Sequence, residues 1–517
     1  MTGVQGVDAL AIAPVLIVGA TMLIVLLLQA LLPRALAGRS LLLDLVAVGG
    51  LAVAGGALAV LARPAAGGVV RRTFCATASG DPGGATVGGL TGACSYVVSP
   101  FTVGLQAVVL VSASVCLLLA LDGPGAAGRL NRAEHHALLL AATTGALALA
   151  GARDLVTLVV ALETASLPAV GLVALRRDAD GAQAAVKLLL VSVTSLGLLV
   201  LGTALLYAGS GTLHLEPMAA ATSGPDLPPA SVPLVALGAA FAVAGTGYKV
   251  AALPFGLWAP DVYAAAPVPV AAFLSTVSKM AGLGAVALIL VEGLRGFAAE
   301  WAPWLAVLVA LTMTVGNLVA FVQRSALRLL AWSTIAQAGW VLLPLVGVLR
   351  GGGEGAGEPV RAALVYLLAY GVATLVVFAV VVLVTRHHQR GSAHLLEDYR
   401  GLARREPVAA AVLALALLSL AGMPPGVAGL VAKVAVLGPV VDSRTWWLAV
   451  VAAVNVALGL AYYLRWVALL VARPLAAPAA RPVTWSVTWA EGLALGVSGA
   501  LLVAFSAVPQ LMVALAG

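Results

Sequence analysis

From Asp8 onward the chain is a series of long apolar runs, parted by short segments that hold nearly all the charge. A helix rises 1.5 Å per residue, so about 20 apolar residues cross the ~30 Å hydrocarbon core of a bilayer. Fourteen runs meet that length, near 9–32, 41–62, 101–121, 134–152, 154–174, 183–208, 232–252, 268–291, 302–322, 328–349, 361–385, 407–440, 445–471 and 486–513. The pattern predicts an all-α polytopic membrane protein of about 14 transmembrane helices. Two spans do not read as single helices. The seventh runs into Pro254, Gly256, Pro260, Pro267 and Pro269, and the twelfth is cut at Pro424 and Pro425. Proline lacks an N–H and clashes with the carbonyl four residues back, so neither helix continues unbroken. Non-helical backbone at membrane depth is tolerated only where protein or a wet cavity covers it.

The breaks also disclose a repeat. Span four begins near 134 and span nine near 302, an offset of 168, while Pro254 and Pro424 are offset by 170. Five spans per unit is an odd number, so the second unit is expected to be inverted relative to the first. The chain then divides into three N-terminal spans with an outer loop at 63–100 (residues 1–133), a first five-helix repeat (134–291), a second, inverted one (302–471) and a C-terminal span (472–517). Paired interrupted helices in two inverted halves point to the active centre of a transporter.

Composition narrows the class. The chain is 62% hydrophobic and 9% charged, with a mean hydropathy of +1.08; soluble domains carry about 25% charged residues. A soluble enzyme domain is excluded. The net charge of +7 comes from loop arginines with no basic, aromatic-laced cluster, so no nucleic-acid partner is expected. The first run opens after Asp8 without a basic leader region or cleavage site and reads as a retained helix. Placing the N-terminus outside puts 15 loop arginines inside, Arg34, Arg129, Arg176, Arg390 and Arg481 among them, against 8 outside. Both termini are therefore expected on the outer side. Cys75 and Cys94 share the outer loop, where an oxidising compartment allows a disulfide or leaves two free thiols. Cys116 reads as packing. No metal-ligand spacing occurs, so no metal or redox cofactor is expected on this chain.

Only four of the 28 basic residues are lysines: Lys187, Lys249, Lys279 and Lys433. All four fall inside apolar spans, whereas every loop cation is arginine. Arginine keeps its proton in any protein environment, whereas a desolvated lysine can release one. Lysines kept only in the driest positions read as groups that load and unload a proton, with interhelical hydrogen bonding as the blander reading. Glu163 lies ~12 residues in from the helix end near Leu175, so ~18 Å deep. A lone charge there is costly, so Glu163 needs a cation or a proton. A carboxylate beside a lysine stabilises the ammonium, and withdrawing it releases a proton.

Several stretches, in this order, resemble antiporter-like subunits of respiratory complex I. They are GARDLVTLVVALETASLPAVGLVALRRDAD from residue 151, GYKVAALPFGLWAPDVY from 247, APVPVAAFLSTVSK from 266, RLLAWSTIAQAGW from 328 and LSLAGMPPGVAGLVAK from 418. The likeness extends over about 134–465. Within the family, Lys433 and the end of the chain soon after span fourteen fit the short type with a lysine on helix twelve. The resemblance implies a proton-translocating subunit of a bacterial cell-membrane NADH-quinone oxidoreductase. It would act as part of that translocase, without a redox centre of its own, against neighbouring antiporter-like subunits and lipid. Glu163 would pair with and modulate Lys249, Lys187 would be an accessory member, Lys279 the central relay, and Lys433 the link to the far side or to a neighbour. The family's histidine after Pro-Phe is Gly256 here, and water in the space left by glycine is the expected substitute. His214 is the exit-side candidate among the histidines. Subunits of multi-subunit Na+/H+ antiporters share the same helices and remain the second reading.

Overall fold

The computed structural model describes residues 7–33, 38–63, 70–75, 93–121, 132–223, 227–350, 357–387, 394–473 and 487–516. Arg34, Arg129, Arg390 and Arg481, used above for orientation, lie outside these residues. The helices are α1 (Ala13–Leu31), α2 (Arg39–Ala62), α3 (Pro100–Leu121), α4 (Arg132–Gly151), α5 (Leu155–Ala174), α6 (Ala179–Ser210) and α7 (Val232–Val250). Then follow α8 (Val268–Gly293), α9 (Ala298–Val322), α10 (Ala326–Leu342), α11 (Gly357–His387), α12 (Pro407–Ala421), α13 (Val427–Asp442), α14 (Trp446–Val471) and α15 (Trp489–Ala507). Twelve described helical runs are long and apolar enough to cross a membrane. The others among the fourteen expected spans are α4, whose first turn holds Glu134, His135 and His136, and the interrupted pair α12 and α13.

Helix starts follow local chemistry. Asp154 caps α5, accepting from the Thr157 amide at 2.8 Å, and Asp178 caps α6, accepting from the Gly181 amide at 2.8 Å. The Gly181 amide, with Arg176 beside it, holds the Asp178 carboxyl below its ordinary range. Thr488 and Glu491 form a reciprocal capping box at the start of α15. The backbones of α6 and α7 meet through glycine. A methyl at Gly202 would lie 2.6 Å from the Ala242 nitrogen, and one at Gly245 would lie 2.8 Å from the Leu199 nitrogen. Small residues permit such approach where no aqueous hydrophobic force drives helices together. Helices α8 and α11 are enclosed by the others, whereas α1, α2 and α6 turn leucine and valine outward (Leu27, Val53, Leu190), as a lipid-facing rim does.

The described residues of the 63–100 segment include two strands that its glycine-rich sequence did not suggest. Strands β1 (Arg71–Cys75) and β2 (Cys94–Val98) pair antiparallel, with Arg71 opposite Val98 and Cys75 opposite Cys94. Cys75 and Cys94 form a disulfide. Cys94, Tyr96 and Val98 alternate inward, the period-two signal of a half-buried strand. The hairpin rests on Ala11 at the head of α1, and Arg71 bonds Asp8 at 2.9 Å.

At both breaks several freed backbone groups find partners within the protein. At the first, the Ala252 amide donates to the Gly247 carbonyl, the Leu253 amide to the Thr312 hydroxyl and the Trp258 indole to the Tyr248 carbonyl. At the second, the Gly422 and Met423 amides return to the Leu418 carbonyl, and the Gly429 amide donates to the Ser419 hydroxyl. The Leu253–Pro254 and Pro424–Pro425 peptides are cis. A methyl at Gly256 would stand 2.1 Å from the Ala251 carbonyl oxygen. The expected water-filled space is therefore absent, because the chain itself folds back into it.

The second break rests on glycine contact, since a methyl at Gly429 would meet the Ser419 carbonyl oxygen at 1.6 Å. Overpacking a tight contact costs about 1–3 kcal/mol, and more where rigid backbone cannot yield. Gly429→Ala is expected to lower the amount of assembled subunit several-fold on a native gel. Gly438→Ala on the same helix, with nothing within 4 Å of the added methyl, is expected to leave it unchanged.

Candidate functional site: a buried lysine axis

Two helix interruptions and three buried lysines define the site. Lys249 is the penultimate residue of α7, whose end is turned by Ala251 in the left-handed region at φ 57°. Glu163 faces it from α5, with Lys249 Nζ 3.1 Å from Glu163 Oε1 and both side chains about nine-tenths buried. The contact lacks hydrogen-bond geometry, and neither carboxylate oxygen nor the ammonium has another protein partner. The two groups thus depend on each other, in a setting where either charge left alone is expensive.

Lys279 stands on α8 just after a π-helical turn at Leu274–Ser278, one of two in this helix; the other spans Leu288–Gly293. Such turns rotate the side chains that follow and often occur at functional sites. Lys279 is 1% exposed, and its ammonium donates to the Val250 carbonyl, the last of α7. Gly282, one turn on, would press a methyl to 3.1 Å from the Lys249 carbonyl carbon. Lys249 and Lys279 therefore flank one peptide unit.

Lys433 repeats the arrangement. It is 5% exposed on α13 and donates at 2.6 Å to the Ala421 carbonyl, the last of α12. Its ammonium lies 5.1 Å from the Trp340 ring centroid. A methyl at Gly422, already at φ +80°, would strike the Lys433 side chain at 2.8 Å.

Lys187 departs from expectation. It sits in the third turn of α6 with its side chain 41% exposed, bonded at 2.5 Å to Asp261, which Arg328 also approaches at 3.8 Å. Three of the four lysines are in dry surroundings, and Lys187 belongs to a peripheral charge cluster instead. His214 heads the short helix Leu215–Ala221 and lines a cavity of about 270 Å3 with Arg72, Arg153, Glu216, Glu292 and Arg295. No contact joins it to the lysines. No group of three or more metal-ligating side chains occurs among the described residues.

The structure adds polar groups that sequence reasoning passed over. Asp44 is buried on α2, bonded to Arg132 at 2.5 Å and His136 at 2.7 Å, and Glu491 is buried against Arg386 at 2.9 Å. Between Lys279 and Lys433 lie Tyr370, donating to the Ser275 carbonyl, and a cluster of Tyr366, Gln337, Tyr463 and Ser333. The acids and histidines sit at span ends, where water is the default assumption. An uncharged amide in an apolar run gives no signal of its own.

Comparison with known proteins adds an independent line. Residues 152–459 match the family described as NADH:quinone oxidoreductase/Mrp antiporter, TM. NADH-quinone oxidoreductase subunit N 2 of Streptomyces griseus subsp. griseus is 43% identical over 468 residues, covering 89% of this chain and 82% of that protein. NADH-quinone oxidoreductase subunit N of Salinispora tropica is also 43% identical, over 90% of this chain and 85% of its own. A chain of respiratory complex I from Thermus thermophilus superposes with a TM-score of 0.75 at 30% identity, covering 97% of this chain and 98% of that one. A chain of the Mrp complex from Dietzia sp. DQ12-45-1b reaches 0.78 at 22% identity over 98% and 96%, a likeness of fold alone.

The two ion pairs predict opposite sensitivities. Glu163→Gln strands the Lys249 cation, and breaking a buried pair typically costs about 3–5 kcal/mol. The midpoint of thermal unfolding of the purified assembly is expected to fall, and to recover when Lys249→Met is added. Asp261→Asn removes an exposed partner of Lys187, worth under about 1 kcal/mol, and is expected to leave the midpoint unchanged.

Proposed function

This chain belongs to the NADH:quinone oxidoreductase/Mrp antiporter transmembrane family, and on that premise we propose how its buried lysines move protons. It is an N-type, antiporter-like, proton-translocating membrane subunit of NADH-quinone oxidoreductase, packed beside other antiporter-like subunits. The likeness to the Mrp complex, one of fold, does not favour Na+/H+ exchange over this reading. We place it in the bacterial cell membrane with both termini outside and no redox centre on this chain, electrons passing through other subunits. The corresponding breaks support two inverted five-helix repeats at 134–291 and 302–471.

The observation that carries the mechanism is the Glu163–Lys249 pair one peptide away from Lys279. With Glu163 in place, the Lys249 charge is neutralised. A charge change in the neighbouring subunit that draws Glu163 aside withdraws about 4 kcal/mol of attraction, for unit charges ~4 Å apart at an effective dielectric of ~20. Lys249 then yields its proton toward Lys279, and Lys433 passes a proton onward to the far side. Lys187 and Asp261 form an exposed charge cluster near the chain's arginine-rich loops, where a proton enters the protein surface. His214 and Glu292 line the cavity at the hairpin end, the face we assign to release.

Lys433→Arg tests the relay. Arginine keeps the donors that the Ala421 carbonyl needs but does not deprotonate. The variant is expected to assemble normally on a native gel, yet to move fewer protons per NADH oxidised in vesicles, about as few as Lys433→Ala. An arginine variant pumping at the wild-type ratio would show that Lys433 is structural.

A further inference from the structure

We propose that Gln337 is a positioning residue that holds Lys433 in its receptive place and ties it to the neighbourhood of Lys279; this rests on the lysine-relay reading above. Gln337 lies in the middle of α10, 3% exposed, and its amide joins three other helices. Its carbonyl oxygen accepts from the Tyr366 hydroxyl of α11. Its amide nitrogen donates to the Tyr463 hydroxyl of α14 at 3.2 Å and to the Leu420 carbonyl of α12 at 3.5 Å. The side chain thus makes three of the four hydrogen bonds open to it, with both N–H donors used.

Two routes run from this amide to Lys433. Leu420 precedes Ala421, whose carbonyl receives the Lys433 ammonium at 2.6 Å, so the Gln337 donor steadies the helix end on which the lysine docks. Tyr366 stacks on Trp340 with centroids 6.1 Å apart and planes 9° from parallel, and Trp340 is the ring under the Lys433 ammonium. In the other direction, Tyr370 lies one turn from Tyr366 on α11 and donates at 2.9 Å to the Ser275 carbonyl, one turn before Lys279. Gln337 is where these contacts meet. An amide neither gains nor loses a proton here, so its contribution is to fix partners and bond direction.

The role predicts non-additive losses, as expected for residues acting as one unit. In assembled complex in vesicles, Gln337→Leu is expected to lose at least half of the proton-per-NADH ratio that Lys433→Ala loses, and nothing further in the Lys433→Ala background. Gln337→His offers an acceptor and a donor while its ring is neutral, so it is expected to restore the ratio at alkaline pH. That ratio is expected to fall as the ring protonates and can no longer accept from Tyr366. A residue that only fills space would give no such pH dependence. Should Gln337→Leu fail to assemble, Tyr366→Phe removes one hydroxyl at nearly constant volume and carries the same expectation. A wild-type ratio in whichever of these assembles, additive losses with Lys433→Ala, or a pH-independent histidine variant overturns the proposal. A wild-type ratio in Lys433→Ala itself overturns the relay reading along with it.

Discussion

A helix interrupted inside a bilayer leaves its last carbonyls facing neither water nor a following turn. The structure answers this twice with the same device, a lysine ammonium donated to the final carbonyl of the broken helix. Lys279 serves Val250, and Lys433 serves Ala421 at 2.6 Å. The negative end of a helix dipole is itself a favourable place for a cation. Each lysine is thereby stabilised at a depth where a bare charge costs several kcal/mol, and each break is stabilised by the lysine. The contact by itself accounts for holding the break; the proposed relay asks the same lysine, in addition, to release a proton.

The rest of the bundle serves these contacts. The α7 and α12 ends return several of their amides to nearby acceptors, which lets the chain run irregularly where protein covers it. Glycines at 256, 282, 422, 426 and 429 remove side chains wherever backbone or a lysine must pass within about van der Waals distance. Helices α8 and α11 are enclosed on every side; α8 carries Lys279, and α11 carries Tyr366 and Tyr370.

Much of this was legible in the sequence, for reasons that differ by residue. Bilayer thickness sets a minimum run length, so the fourteen spans follow from counting. Proline within an apolar run has one reading, so both breaks could be placed. The depth of Glu163 called for a cation or a proton, and the family resemblance named Lys249 as the partner. Other features were hidden. Lys187 lies in an apolar run but on a face that meets Asp261, and run length carries no information about helical phase. The β1–β2 hairpin is ten residues of strand inside a glycine-rich segment, whose composition outweighed the alternation at Cys94, Tyr96 and Val98. Gly256 looked like a vacancy because the sequence does not reveal that Ala251 folds back over it.

The lysines differ in one respect that bears on the order of events. Lys249 is held by a carboxylate, whose charge and position can change, whereas Lys279 and Lys433 are held by backbone carbonyls, whose partial charge is fixed. A perturbation from a neighbouring subunit therefore has its strongest purchase at Glu163. The carbonyl-bound lysines respond to the charge of the lysine before them and not to an adjustable partner of their own. In the proposed relay, transfer along the axis is then driven from the Glu163 end and received at Lys433. The middle of the axis, where Gln337, Tyr366 and Tyr370 lie, contains no buried carboxylate, imidazole or amine among the described residues. In that relay, an adjustable first site followed by fixed ones sets where a driving charge change acts, while the direction of net transfer comes from the free energy which that change supplies.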